Sequence, residues 1–310
     1  MIESSVAVIV VTYNSAPYIN ECLFSIEEQL PSDGSCIVVF DNASTDKTLE
    51  IISARSAKVR IIRSNANLGF ARACNEAVKK VESTYILLVN PDAVLKPGCI
   101  AKLLDLAHRF PAAGLYGGRS FTHEDLPLHA CFGRHTLWMM WCNSTGLSQI
   151  FYKSRWLNPQ LMGGWACDIE REVAVIAGSL LLVNRQAWTR LGGFDEQFFL
   201  YAEDTDLCRR AADLGYSPII TPEACIVHVG GASSASNATA LVMQYRGEIT
   251  LIRKIWTGPR RLIAERILLG GVLLRAALSR ARSSTNFHSA HEPGRWSELW
   301  RRRQEWLAGW

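Results

Sequence analysis

Four short apolar runs in the N-terminal third each end on side chains able to hold a polar ligand. Thr12-Tyr13-Asn14 follows residues 6–11, Asp41-Asn-Ala-Ser-Thr-Asp46 follows 36–40, Asn67-Leu-Gly69 lies in the turn after 59–62, and Asn90-Pro-Asp92 follows 85–89. Acidic oxygens at neighbouring strand ends suit a hard divalent cation, Mg²⁺ or Mn²⁺, that neutralises a bound diphosphate. Asp92 is the best placed, although Asn-Pro-Asp is also a good turn by itself, with proline fixing φ and aspartate accepting from the backbone. Asp46 stands where a helix N-cap belongs. Asp41, between its strand and that cap, is freer to accept from the N–H of a uracil or thymine or from a ribose hydroxyl.

A second group lies near the C-terminal end of the same pattern. Glu203-Asp204-Thr-Asp206 opens a helical segment, where carboxylates gain from the macrodipole and where Arg209 and Arg210 stand three and four residues beyond Asp206. The Gly-Gly turn and aromatic wall of residues 192–201 lead into it, and burial against such a wall raises a carboxylate towards a useful general base. His228 is either a core histidine or a ligand; the Gly-Gly that follows permits close backbone approach and favours the ligand.

The elements that must position these groups read as βαβα. Strands at 6–11, 36–40, 59–62 and 85–89 alternate with helices at 16–29, 45–54 and 70–81, and but for Arg60 the strands are apolar, as in a parallel sheet covered on both faces. Such a sheet binds ligands beyond the carboxyl ends of its strands. No Gly-x-Gly-x-x-Gly and no P-loop occur, which excludes the usual dinucleotide and P-loop sites. A nucleotidyltransferase would want a Gly-rich, basic loop after the first strand, and Thr12-Tyr-Asn-Ser supplies neither. Residues 120–172 are aromatic, rich in Met and without a clear period, as in a lid, a binding loop or a hydrophobic wall. Regular structure resumes at 173–184.

At 310 residues, 48% hydrophobic and 20% charged, the chain can bury a large core, which excludes disorder, collagen and a small disulfide scaffold. Nine cysteines without a Cys-x-x-Cys pair read as buried thiols of a reducing compartment, and the N-terminus shows no basic n-region, so the expectation is cytoplasmic. The charge is uneven. Residues 246–310 carry 13 Lys+Arg against 5 Asp+Glu together with five of the ten tryptophans, a composition that suits nucleic acid or an anionic membrane. The apolar stretch 267–278 includes Arg275 and is too short to span a bilayer.

In their order and spacing these strings closely resemble the inverting family 2 glycosyltransferases of GT-A fold, in the bacterial rhamnosyltransferase-like branch, over residues 6–233. The resemblance rests on Thr12-Tyr-Asn-Ser, Asp41 to Asp46, Asn67-Leu-Gly-Phe-Ala-Arg-Ala-Cys-Asn75, Asn90-Pro-Asp92, the run from Gly192 to Arg210, and His228 with Ser233. It implies a GT-A domain over 1–240, with 120–172 as an acceptor-side insertion, and a basic helical tail over 241–310. It also implies a nucleotide-diphospho-sugar donor, with Thr12, Tyr13, Asn14, Asp41, Asn67, Gly69 and Asn75 shaping the nucleoside site. Asn90 and Asp92 would face the donor, and Asp92 and His228 would hold Mg²⁺ or Mn²⁺. Asn90 stands where the family motif has its first aspartate, which leaves open whether it touches metal or sugar. Asp204 takes the family's general-base position, with Glu203, Asp206 and Arg209 on the acceptor side or supporting it.

The same resemblance implies L-rhamnosyl transfer from dTDP-rhamnose to a lipid-linked or polysaccharide acceptor. A UDP- or GDP-hexose donor and an inactive sugar-nucleotide-binding relative are the alternatives. A lipid-linked acceptor removes nucleic acid from the partners and gives the tail a role: an interfacial helix over 260–282, with Leu262, Leu269 and Leu273 on one side and Arg261, Arg275 and Arg282 on another, holding the enzyme peripherally on the inner face of the cytoplasmic membrane. Packing of the tail on the domain or in a homodimer is the competing expectation.

Overall fold

A computed structural model of the chain describes residues 5–31, 34–55, 59–228, 238–285 and 294–310. In chain order the elements are β1 (Val6–Thr12), α1 (Ile19–Glu27), β2 (Cys36–Asp41), α2 (Thr48–Ser53), β3 (Val59–Arg63), α3 (Phe70–Val78), β4 (Tyr85–Val89), β5 (Ala93–Leu95), α4 (Cys99–Arg109), β6 (Leu115–Phe121), β7 (Pro127–Leu128) and β8 (Cys131–Phe132). They continue with α5 (Leu137–Thr145), α6 (Leu147–Ile150), β9 (Arg171–Glu172), β10 (Val175–Ile176), β11 (Leu180–Asn184), α7 (Arg185–Leu191), α8 (Glu203–Asp213) and β12 (Ile219–His228), and end with α9 (Ala238–Ile255), α10 (Gly258–Thr285), α11 (Gly294–Arg301) and α12 (Arg303–Leu307).

The chain divides into two compact units. The first comprises residues 1–132, 166–199 and 203–230; the second comprises 133–165, 200–202 and 231–310. This partition departs from the boundary expected at residue 240. Residues 133–165 include α5 and α6, followed by turns, and Met139 and Met140 of α5 join one apolar cluster with Val242, Ile249, Leu268, Val272 and Trp306 of the C-terminal helices.

The first unit is built on a mixed sheet in the order β3-β2-β1-β4-β11-β6-β12-β5. Strands β3, β2, β1 and β4 are parallel, β11 is antiparallel to β4 and β6, and β12 runs parallel to β6 and antiparallel to β5. All seven residues of β1 are buried, which is why its sequence does not alternate. Side chains of β1, β2 and β4 such as Val8, Ile37 and Leu87 share a core with Ile19 and Leu23 of α1 and Leu103 and Leu106 of α4.

Register brings distant residues together. Thr12 pairs with Asp41 and Asp41 with Arg63, so the carboxyl ends of β1, β2 and β3 are level. His228, the last residue of β12, pairs with Ala93, the first of β5 and the neighbour of Asp92.

Candidate active site

Asp92 and His228 meet as this pairing requires: His228 Nε2 lies 3.1 Å from Asp92 Oδ1, both side chains mostly buried. Among the described residues no group of three or more His, Cys, Asp or Glu surrounds a metal position. The pair still fits a divalent cation, because Mg²⁺ commonly takes one or two protein ligands and completes its shell with water and substrate phosphates. Asn90 opens the same turn. Its N–H donates to Ser179 O at 3.2 Å, its carbonyl accepts from Ala93 N–H at 3.1 Å, and its side-chain amide makes no hydrogen bond among the described residues.

The 178–179 turn connects that metal side to the candidate base. Gly178 N–H donates to Asp204 Oδ2 at 3.1 Å, while Thr205 N–H donates to Asp204 Oδ1 at 2.6 Å. Asp204 sits at the head of α8, part-buried; burial raises its pKa and these hydrogen bonds hold the rise in check. Glu203 is more extreme. It is 6% exposed, one carboxyl oxygen has no hydrogen-bond partner among the described residues, and burial with the adjacent Asp204 charge pushes it from its ordinary 4.5 to about 8. Near neutral pH Glu203 is therefore mostly protonated. Tyr201 and Ala202, immediately before them, have φ of 68° and 73°, a costly conformation for residues with a Cβ.

Asp41 does not stand free as expected. It is 1% exposed, and its carboxylate accepts from Thr12 Oγ1 at 3.0 Å and from Ser44 N–H at 3.0 Å, tying β1 to the loop after β2. Asn14, at φ 52°, accepts Thr45 N–H at 2.8 Å and donates its own N–H to Ser44 Oγ at 3.0 Å, which docks the two loops. Asp46 accepts from Thr48 N–H and Ala16 N–H, but the N-cap position of α2 is Lys47. Tyr13 remains half exposed at the mouth of these loops.

Asn67, Gly69 and Asn75 are explained within the protein. Asn67 Oδ1 accepts Gly69 N–H at 3.0 Å. Gly69 has φ 81°, and a Cβ there would lie 2.3 Å from Phe199 O, the carbonyl that accepts Phe70 N–H at 2.7 Å. Asn75, expected to help shape the nucleoside site, makes its hydrogen bonds within the protein. This residue is buried, its amide donates to Phe194 O and Glu196 Oε1, and its Oδ1 accepts Phe194 N–H at 3.0 Å. Its polar atoms clamp the loop after Gly193 onto α3.

Arg210 completes that clamp and Asn42 a second one; neither was among the expected site residues. Arg210 Nε lies 2.7 Å from the fully buried Asp206, and its other nitrogens donate to Leu191 O and Gly193 O. Arg209 approaches Asp206 only to 3.6 Å and pairs with Asp213 at 2.7 Å. Asp206 therefore anchors the turn leading to Asp204. Asn42 accepts Leu68 N–H and donates to Gly69 O, fixing the loop that carries Asn67. Its signal was its place in Asp41-Asn42; that of Arg210 was its i+4 spacing from Asp206. Ser233 lies outside the described residues.

Two family models match this chain: glycosyl transferase family 2 over residues 7–128, and glycosyl transferase family group 2 over residues 85–310. The chain belongs to the family 2 group of glycosyltransferases. The glycosyltransferase is 28% identical over 292 residues to the N-acetylglucosaminyl-diphospho-decaprenol L-rhamnosyltransferase of Mycobacterium tuberculosis, covering 87% of this chain and 91% of the relative. Its fold resembles a mannosyltransferase from Pyrobaculum calidifontis solved with GDP-Man and Mn²⁺ (TM-score 0.57, 19% identity, 98% of this chain and 85% of that one). It also resembles S. aureus TarS 1-349 in complex with UDP (TM-score 0.52, 18% identity, 94% and 78%). The mixed sheet flanked by helices is the GT-A arrangement of these glycosyltransferases, and C-terminal helices follow it.

Proposed function

We propose that this glycosyltransferase moves L-rhamnose from dTDP-rhamnose, with inversion, to a hydroxyl of a lipid-linked or polysaccharide acceptor in cell-surface glycan synthesis. The carrying observation is the connection between the Asp92–His228 pair and Asp204 through Asn90, Ser179 and Gly178. One side of that turn suits a diphosphate and the other a hydroxyl to be deprotonated. The mycobacterial relative, named for rhamnosyl transfer to a decaprenol-linked N-acetylglucosamine, supports the sugar and the acceptor class.

In this reading Asp204 accepts the proton of the acceptor hydroxyl as its oxygen bonds to the anomeric carbon; the bond to the diphosphate breaks and its electron pair leaves with the nucleotide. A single displacement of this kind inverts the anomeric centre and uses no covalent intermediate. Bound between Asp92 and His228, Mg²⁺ or Mn²⁺ would neutralise charge on the leaving diphosphate. Tyr13, half exposed beside Thr12, suits a stacked base, while Asn14 and Asn67 shape the loops around it. Asn90 offers its amide to the sugar or the diphosphate.

A lipid-linked acceptor places the enzyme peripherally on the inner face of the cytoplasmic membrane. No helix among the described residues is long and apolar enough to cross a membrane. Donor identity is tested by assaying dTDP-rhamnose, UDP-sugars and GDP-mannose separately with Mg²⁺ or Mn²⁺. Turnover of dTDP-rhamnose is expected; activity with GDP-mannose alone overturns the rhamnosyl reading.

A further inference from the structure

The second unit distributes its tryptophans unexpectedly. Trp306 is fully buried and donates Nε1–H to Leu299 O at 2.9 Å; Trp256, Trp296 and Trp300 pack on the same apolar cluster. Trp310 lies under the Arg246 guanidinium, 4.1 Å from it, and donates Nε1–H to Leu200 O. The tail therefore does not present the aromatic side expected of a membrane anchor. That side lies elsewhere in the unit.

Trp138, Trp141, Ile150, Phe151, Tyr152 and Trp156, on α5, α6 and the segment after them, are 39% to 73% exposed. Residues 133–165 contain Arg134, Lys153 and Arg155 but no aspartate or glutamate. All three cations are exposed, two of them between the aromatic residues of 150–156. The apolar side chains are held in place. Trp138 and Trp156 stack at 4.9 Å, and Trp138 Nε1–H donates to Trp156 O at 2.8 Å. The fully buried Asn158 donates to Tyr152 O, and Ser148 Oγ–H to Leu157 O.

On α10, Gly271 has no room for a Cβ against Ser144 of α5, so the two helices are closely apposed. Leu274 and Leu278 follow Gly271 by three and seven residues and so flank that contact, and both are exposed. An apolar surface with tryptophans, cations and no acids has the composition of a headgroup-layer contact. A polar solvent-facing loop would not hold these rings rigid and outward.

We infer that α5, α6 and the segment to Trp156 bind the surface of an anionic phospholipid bilayer, Trp141, Ile150, Phe151 and Trp156 entering the headgroup layer and Lys153 and Arg155 pairing with lipid phosphates. This rests on the proposed lipid-linked acceptor and names the surface through which the enzyme reaches it. The test is flotation of the full chain with vesicles of phosphatidylcholine alone and of an equimolar mixture with phosphatidylglycerol. Wild type is expected to float with the mixed vesicles only.

The triple variant Ile150→Gln/Phe151→Gln/Trp156→Gln and the pair Lys153→Glu/Arg155→Glu should each lose about tenfold or more in vesicle affinity. Arg301→Gln/Arg303→Gln, in the tail, should float as wild type. Melting temperature and dTDP binding establish that each variant is folded. Flotation of the triple variant at wild-type level overturns the inference, as does absence of wild-type flotation. A triple variant that changes from dimer to monomer in sedimentation would instead assign the surface to a second copy. Transfer to a short soluble acceptor should persist in all of them; if wild type floats but never turns over dTDP-rhamnose, the donor reading fails and the membrane surface stands.

Discussion

At residue scale the adjacent carboxyls of Glu203 and Asp204 differ in use because they differ in surroundings. Asp204 receives two backbone N–H donors, whereas Glu203 is buried with an unpaired oxygen. Asp204→Asn keeps the size and one of the two backbone N–H contacts but removes the proposed proton acceptor. Transfer should fall about 10²- to 10⁴-fold with dTDP affinity unchanged, read by turnover and by titration calorimetry; near wild-type turnover would move the base elsewhere. Glu203 makes a pH prediction. In the folded chain it stays protonated up to about pH 8, but in the unfolded chain it ionises near its ordinary 4.5. Its contribution to stability is therefore full below the lower value and is lost as pH rises through the upper one. Glu203→Gln should flatten the fall in urea-unfolding free energy across that window, by a few kcal/mol in order of magnitude. A residual slope at its acid end is expected from Asp204, whose pKa is raised in the same sense. An unaltered pH dependence would show that Glu203 is ionised in the folded state.

At the scale of elements, much of the first unit was legible. The runs at 6–11, 36–40, 59–62 and 85–89 became β1 to β4 with ends shifted by at most one residue; β1 and β4 are buried on both faces and admit almost nothing polar, whereas the edge strand β3 is half exposed and carries Arg60. What the pattern could not tell was which way a polar residue after a strand is turned. Asp92 and His228, at the ends of β4 and β12, face each other, whereas Asp41, at the end of β2, spends its side chain on the neighbouring loop. The glycines separate similarly. Gly69 and Gly192 both have positive φ, but a Cβ at Gly192 meets nothing within 4 Å, whereas at Gly69 it would strike the Phe199 backbone. Gly192→Ala should cost about 1–2 kcal/mol, the left-handed penalty alone. Gly69→Ala should cost clearly more and also weaken dTDP binding, since the Asn67 loop must shift. Equal losses in thermal unfolding would mean that Phe199 yields freely.

At the scale of the whole molecule, part of the basic tail is explained by carbonyls it satisfies and part by ion pairs within it, such as Arg261–Glu265 and Arg302–Glu305. Arg246 donates twice to Gly309 O, Arg253 donates to Leu307 O and Ala308 O, and Arg275 reaches Asn143 O of α5. The carbonyls of Leu307, Ala308 and Gly309 lie at and just beyond the C-terminus of α12, where carbonyls lack intrahelical donors. The stripe expected over 260–282 is likewise divided: Ala264, Leu268, Val272 and Ala276 face the core, Leu262 and Leu273 face outward, and the Arg282 side chain lies outside those described. Composition cannot distinguish a guanidinium that pairs with lipid phosphate from one that ends a helix. Trp306 decides between the two kinds of tail. If it is the centre of the second unit's core, Trp306→Ala removes a fully buried ring and its hydrogen bond to Leu299 O, at about 3–5 kcal/mol. The second unit holds nine of the ten tryptophans, so intrinsic fluorescence reports chiefly its unfolding. The fluorescence transition of Trp306→Ala should therefore move to clearly lower urea, with vesicle flotation retained wherever the protein stays folded. A transition at the wild-type midpoint, combined with lost flotation, would return the anchor to the tail.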